Sequence, residues 1–318
     1  MNNLKKIGLT ALGTALVASS AVAGELSVTG TAGITYVGNS KVDNGDKKLE
    51  QKTTIAFTGS ADLDNGFTVS YYNNISGDAM SNGNTHFDVD MGDMGTLRFA
   101  GNGASGNGAV SAWDDTTPAA NEESWDIQNA AGLAAETTPV NAQTGDDSII
   151  YTNSAMIDGV TVMLNYKPGE TTYDSTTGAG IKFTGVEGLD VGLAMEDNNT
   201  TNGAVVENTV AYIKYAMDAF TVGFSTSSVD SQTANSDTDF EAWGVSYAVS
   251  EDLSISYGSS TVEYESGASK SDQEASAIGV SWTNGSMSIA ASRHTVDNVG
   301  GTSTDDRDAT EVNLTFAF

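Results

Sequence analysis

Apolar and polar residues alternate with a period of two along most of this chain. The last ten residues are the clearest case. In Ala309–Phe318, Val312, Leu314, Phe316 and Phe318 fall on one face, and Glu311, Asn313, Thr315 and Ala317 on the other. A strand points successive side chains to opposite sides, so the segment separates an apolar face from a polar one. The pattern recurs from Leu26 to Tyr36, at Ile55–Phe57, Phe67–Tyr71, Phe87–Met91, Leu97–Phe99, Ile149–Tyr151, Val160–Tyr166 and Ile181–Phe183. It returns at Leu189–Met195, Ala211–Tyr215, Phe220–Phe224, Trp243–Val249, Leu253–Tyr257, Ile278–Trp282 and Met287–Ala291, which with the C-terminal run makes 16 segments.

The connections alternate as well. Short ones carry Asn, Asp and Gly, as at Asp62–Gly66, Gly92–Gly95, Asp158-Gly159, Glu187-Gly188 and Asn284-Gly285, residues that accept positive φ in tight turns. Between them lie longer polar connections, such as Asn39–Leu49, Gly169–Thr176, Asp230–Thr238 and Asp297–Asp308. Short turns on one side and long loops on the other predict an all-β fold, a 16-stranded antiparallel transmembrane β-barrel. A soluble sandwich has no reason to sort its loops this way. The face opposite the apolar one carries Ser27, Thr29, Lys52, Asp88, Asp90, Arg98, Asn165, Lys167, Lys182, Lys214 and Asn313, a lining suited to water. Aromatic residues near segment ends, among them Tyr36, Tyr71, Tyr166, Tyr215 and Trp282, suggest interfacial girdles.

Composition narrows the compartment. Lys5 and Lys6, the apolar stretch Ile7–Ala18 and Ala21-Val22-Ala23 read as a secretory signal over residues 1–23, leaving 24–318 as one barrel domain. Without the signal, 42 acids face 11 basic residues, a net charge of −31, which disfavours nucleic acid as a partner. The chain has no cysteine, 3 prolines and 35 glycines, so disulfides do not hold this exported protein together.

Several stretches resemble the Gram-negative general porins of the alphaproteobacterial kind. They are the start Gly24-Glu25-Leu26-Ser27-Val28-Thr29-Gly30, the Leu63–Phe67 hairpin, Gly95–Gly101 ahead of a long third loop, and the terminal Phe318. The resemblance implies 16 strands, a homotrimer in the outer membrane beside lipids and lipopolysaccharide, and a third loop folded into the lumen. It also implies that Phe318 is the signal read by the outer-membrane assembly machinery.

The outlier connection, Asn102–Asp147, is 46 residues long and holds Asp114, Asp115, Glu122, Glu123, Asp126, Glu136, Asp146 and Asp147 with no basic residue. Structureless loops of that length are usually functional or disordered, so the alternative to an inward fold is a mobile acidic surface loop. Trp113, Trp125, Ile127 and Leu133 give it apolar surface to pack with. Asp114, Asp115, Glu122, Glu123 and Asp126 are therefore expected at an acidic constriction. Lys52, Arg98, Lys167 and Lys182 are expected as wall cations, with Lys52 and Arg98 nearest it; the alternative is that these two only pair with luminal Asp88 or Asp90. The family's full arginine ladder is missing here. A carboxylate-rich lumen favours cations. His86 and His294, the two histidines, sit in no catalytic or metal-ligand spacing, and the Asp43–Asp46 run lacks the later glutamate of a calcium loop. The expected function is passive diffusion of small hydrophilic solutes and ions, with no cofactor and no catalysis. The rivals are a substrate-specific channel, for which no clear aromatic or arginine track is visible, and an exported β-rich adhesin.

Overall fold

The computed structural model describes residues 26–39, 47–77, 81–102, 108–126, 140, 145–169, 174–199, 205–265 and 268–318. The signal segment, Gly24 and Glu25, the Asp43–Asp46 run, Ile127, Leu133 and Glu136 lie outside those residues. Sixteen strands follow one another: β1 (Leu26–Asn39), β2 (Lys47–Asp62), β3 (Thr68–Ser76), β4 (Ser81–Asp90), β5 (Thr96–Asn102), β6 (Ser148–Ile157), β7 (Val160–Lys167) and β8 (Thr176–Phe183). Then come β9 (Leu189–Asn199), β10 (Val205–Met217), β11 (Phe220–Ser231), β12 (Thr238–Ala248), β13 (Leu253–Tyr264), β14 (Gln273–Asn284), β15 (Met287–Asp297) and β16 (Arg307–Ala317).

Each strand pairs antiparallel with its sequence neighbour, and β16 returns to β1, so the sheet closes. Closure leaves no edge with unpaired N–H and C=O groups. The seam ends on the last residue. Phe318 and Gly30 exchange both backbone hydrogen bonds, at 2.8 and 2.9 Å. A Cβ on Gly30 would lie 2.6 Å from the Phe318 ring, so the ring covers the space that the glycine leaves open. The C-terminal strand thus lies beside the first.

The apolar phase points outward. Leu26, Val28, Leu164, Ile181, Leu193, Phe220, Trp243, Ile278 and Phe316 are exposed on the outer surface. Thr35, Asn165, Glu196, Asn208, Ser227, His294 and Glu311, on the other phase, are buried. That is a soluble protein inside out, and it belongs in a bilayer. Asp158-Gly159 and Gly285-Ser286 turn β6 into β7 and β14 into β15, with Gly159 and Gly285 at φ 71° and 59°, a region that costs a residue with a Cβ. Strands stop at Asn102 and resume at Ser148, within a residue of the expected bounds of the long loop. Among the described residues of that loop, Ala109–Trp113 form a short helix, α1.

Candidate functional site

The described stretch 108–126 of the long loop runs inside the barrel along the wall from β7 to β16. Its helix α1 buries Ala109, Val110 and Trp113 against inward-facing Met163, Ala194, Val210 and Tyr212. The Trp113 and Tyr212 rings meet edge to face at 6.5 Å, a favoured aromatic geometry. The wall makes room by omission. Gly180 on β8 stands where any Cβ would strike Ala109 and Trp113. Gly223 on β11 and Gly244 on β12, paired in register, would bring a Cβ to 2.6 and 2.8 Å from Pro118.

Hydrogen bonds then hold the loop to β13–β16. The Ala120 N–H donates to Ser256 Oγ (2.8 Å), Asn121 Nδ2 to Ser292 Oγ (3.0 Å), and Asn313 Nδ2 to Asn121 Oδ1 (3.1 Å). Ser124 Oγ donates to Ser260 Oγ (3.0 Å). His294, fully buried, spans Ser124 O (3.3 Å) and Ser292 Oγ (2.9 Å) with its two ring nitrogens. Trp125 packs edge-on against Phe240 at 4.9 Å, with Ala242 and Val262 beneath. Burying two tryptophans contributes about 2–3 kcal/mol each, an upper estimate.

This course carries the loop acids with it. Carboxylate oxygens of Asp115, Glu123 and Asp126 lie within 4.8 Å of one another. Burial, then Asp115, pushes the Asp114 carboxyl up to about 7. Burial, then Asp126, raises Asp115 as well. Burial and the Asp115 charge push Glu123 up to about 8. Glu122 also rises to about 8 through burial, Asp126 and Glu311, with Lys52 opposing the shift. Burial first, and like charges this close second, resist ionisation, so Asp114, Glu122 and Glu123 stay partly protonated near neutrality.

The wall cations face the lumen, but not as one set. Lys52 on β2 pairs in register with Gly33 of the inward phase and is close enough to act on Glu122. Arg98 instead clasps Asp88 of the adjacent strand through Nε and Nη2, both at 2.8 Å. Such a fork neutralises the guanidinium locally. Lys167 lies 3.2 Å from Asp146 where the loop rejoins the wall, and Lys214 lies 4.0 Å from Asp190. Lys182 shares the inward phase of Gly180, toward the short-turn end of β8.

A Gram-negative porin profile matches residues 8–318. The chain belongs to the Gram-negative porin family. No curated protein sequence matches it, but solved structures do. Salmonella typhi OmpF, in a daunomycin complex, superposes with a TM-score of 0.73 at 12% identity over 93% of this chain and 98% of that one. The anion-selective porin from Comamonas acidovorans gives 0.66 at 12% identity over 93% and 100%. A mutant porin of Rh. blastica gives 0.62 at 16% identity over 92% and 100%. At such identities the likeness speaks for the fold. The porin is a non-enzymatic diffusion channel of the outer membrane.

Sequence reading missed three groups in the porin's lumen. Glu311 is fully buried in the C-terminal strand and accepts from Asn313 Nδ2 at 2.6 Å. His294 fastens the loop. Tyr72 stacks on His86 at 4.9 Å, beside the Asp88–Arg98 pair. The legible signal was apolar residues on both phases. Val206, Val210 and Tyr212 on β10 and Phe240 on β12 face inward and are buried, which a water-lined wall would not require.

Proposed function

We propose that the porin passes small hydrophilic solutes and ions with a mild preference for cations, and that Asp114, Asp115, Glu122, Glu123 and Asp126 form its acidic constriction. The observation that carries this is the gathering of Asp115, Glu123 and Asp126 within 4.8 Å on a loop fastened inside the barrel. Of the expected wall cations, Lys52 acts on Glu122 of the same loop. Arg98 is spent on Asp88 and Lys167 on Asp146, and Lys182 lies toward the short-turn end. Rings of carboxylates attract cations and repel anions at a narrow passage. One solved relative with this fold is named anion-selective, so the sign of selectivity must come from residues and not from the barrel.

The finer placement rests on the same reading. Residues 1–23 serve as a cleaved export signal, and Phe318 as the assembly tag. The alphaproteobacterial kind is supported by the motifs at 24–30, 63–67 and 95–101. Assembly as a homotrimer is supported by a Vibrio cholerae OmpT structure described as a trimer form, at 13% identity and a TM-score of 0.66.

The test is the reversal potential of the purified porin in a planar bilayer under a potassium chloride gradient. Cation preference is expected. Asp114→Asn, Asp115→Asn, Glu122→Gln and Glu123→Gln together should raise conductance and bring the permeability ratio toward that in free solution. Anion preference in the unaltered protein would refute the reading.

A further inference from the structure

The outward surface of β11–β16 is not smooth. One row of side chains runs around it in register, as Phe220, Tyr247, Ile255, Val280 and Ala291. A second row, two residues nearer the long loops, includes Tyr257, Ile278 and Arg293. Between them lies a furrow of about 540 Å³ with almost wholly apolar walls. The Phe220 and Tyr247 rings, 4.5 Å apart, close one end.

The furrow climbs. Phe220 is the first residue of β11, beside a short turn, while Arg293 is the seventh residue of β15. It crosses several strands spaced ~4.8 Å apart, so it runs for roughly 20 Å. That exceeds the ~15 Å of hydrocarbon in one leaflet. Strands in such barrels tilt by roughly 40°, so a furrow crossing them slopes through the bilayer and can hold a tail along its length.

Charge marks the upper end. From Val205 onward the basic residues borne on strands are Lys214, Arg293 and Arg307. Lys214 and Arg307 pair with inward Gly223 and Val296, whereas Arg293 pairs with outward Ile278 and Thr310. Its guanidinium reaches toward the long-loop rim, 3.9 Å from Asp308, and 64% of the side chain stays exposed. That loose contact leaves most of its N–H donors unused. Above it the outward phase carries Glu263, Glu274 and Asp297, all exposed, which disfavour an anion elsewhere on this side. An arginine on the lipid face is costly unless anions meet it, and Asp308 of the same outward phase meets this one only at 3.9 Å.

We propose that this furrow binds one phosphate-bearing lipid of the outer leaflet. The acyl chain lies between the two rows, and the phosphate sits on the Arg293 guanidinium, which offers it a planar fork. The proposal rests on the outer-membrane porin reading but not on its ion preference.

Native mass spectrometry of the detergent-purified porin tests it, with dipalmitoyl phosphatidic acid and dipalmitoylglycerol as probes that differ only in the phosphate. The unaltered protein is expected to hold phosphatidic acid with about tenfold preference. Arg293→Gln should abolish the preference, and Ala291→Phe, which fills the furrow, should remove binding of both. Both variants should keep normal heat-modifiable migration and conductance, since neither residue faces the lumen, so a loss of conductance in the unaltered protein would strike the channel reading separately. Equal uptake of the two lipids, or an unchanged preference in Arg293→Gln, would overturn the proposal. So would a change on Ala291→Phe in barrel–barrel association with lipid uptake unaltered, which would make the furrow a contact between copies.

Discussion

Phe318 shows how one residue can serve two steps. Its backbone closes the seam with Gly30, and its ring lies over that glycine while remaining 75% exposed toward lipid. Truncating so exposed a ring costs at most about 1–2 kcal/mol of packing. Phe318→Ala should therefore shift the urea midpoint of the refolded, detergent-solubilised barrel only slightly. If the residue is also the assembly tag, the amount of heat-modifiable protein in the outer membrane should fall by roughly tenfold, which is more than that energy explains in a protein with ordinary stability to spare. Proportional losses in both measurements would leave only the packing role. Arg98 teaches the opposite lesson. Its spacing ahead of the long loop suggested a cation for the constriction, but β4 sets Asp88 directly across from it, and the pair satisfies itself.

At the scale of elements, the long loop is a second layer against half of the inner wall. It is held by Trp113 and Trp125, by the glycines beneath it, and by hydrogen bonds to Ser256, Ser260, Ser292, His294 and Asn313. Its acids make it sensitive to pH. The folded-state values of Asp114, Asp115, Glu122 and Glu123 lie above those of free carboxyls, so the proton-bound loop is the stabilised one. Its docking is firmest below the ordinary carboxylate range and weakens as pH rises through 7 to 8, where Asp114, Glu122 and Glu123 titrate. Negative charge on the loop grows over the same interval. The ratio of potassium to chloride permeability should thus rise by roughly threefold between pH 6 and pH 9. Open-channel current noise should rise with it. A flat pH profile would show that these carboxyls are already fully ionised at pH 6.

At the scale of the molecule, closure explains why a chain without disulfides and with an apolar exterior holds one shape. All 16 strands find partners on both sides, so no edge is left to pair with another chain. If three such barrels assemble, each keeps its own lumen and its own inward loop. Single insertions in a planar bilayer should then close in three equal steps at high voltage. One-step closure would indicate a monomer.

The barrel itself was legible in the chain. Period-two alternation, an even number of segments and the sorting of turns from loops each reflect local stereochemistry, and the sequence carries that directly. The inward phases of Lys52, Arg98, Lys167 and Lys182 followed from the same parity. What parity could not supply was partnership. Asp88 of the neighbouring strand cancels Arg98, Lys52 acts on Glu122 of the loop, and His294, some 170 residues beyond Ser124, fastens the loop. The clue to the loop's course was present in Val210, Tyr212 and Phe240, apolar residues on a face expected to be wet. It became readable only once Gly180, Gly223 and Gly244 stood beneath the loop. Sequence alone determined which face of every strand meets lipid, because that depends on neighbours one and two residues away. Only the tertiary structure decided which charges pair in the pore, because that depends on where a closed sheet and its inward loop bring residues together.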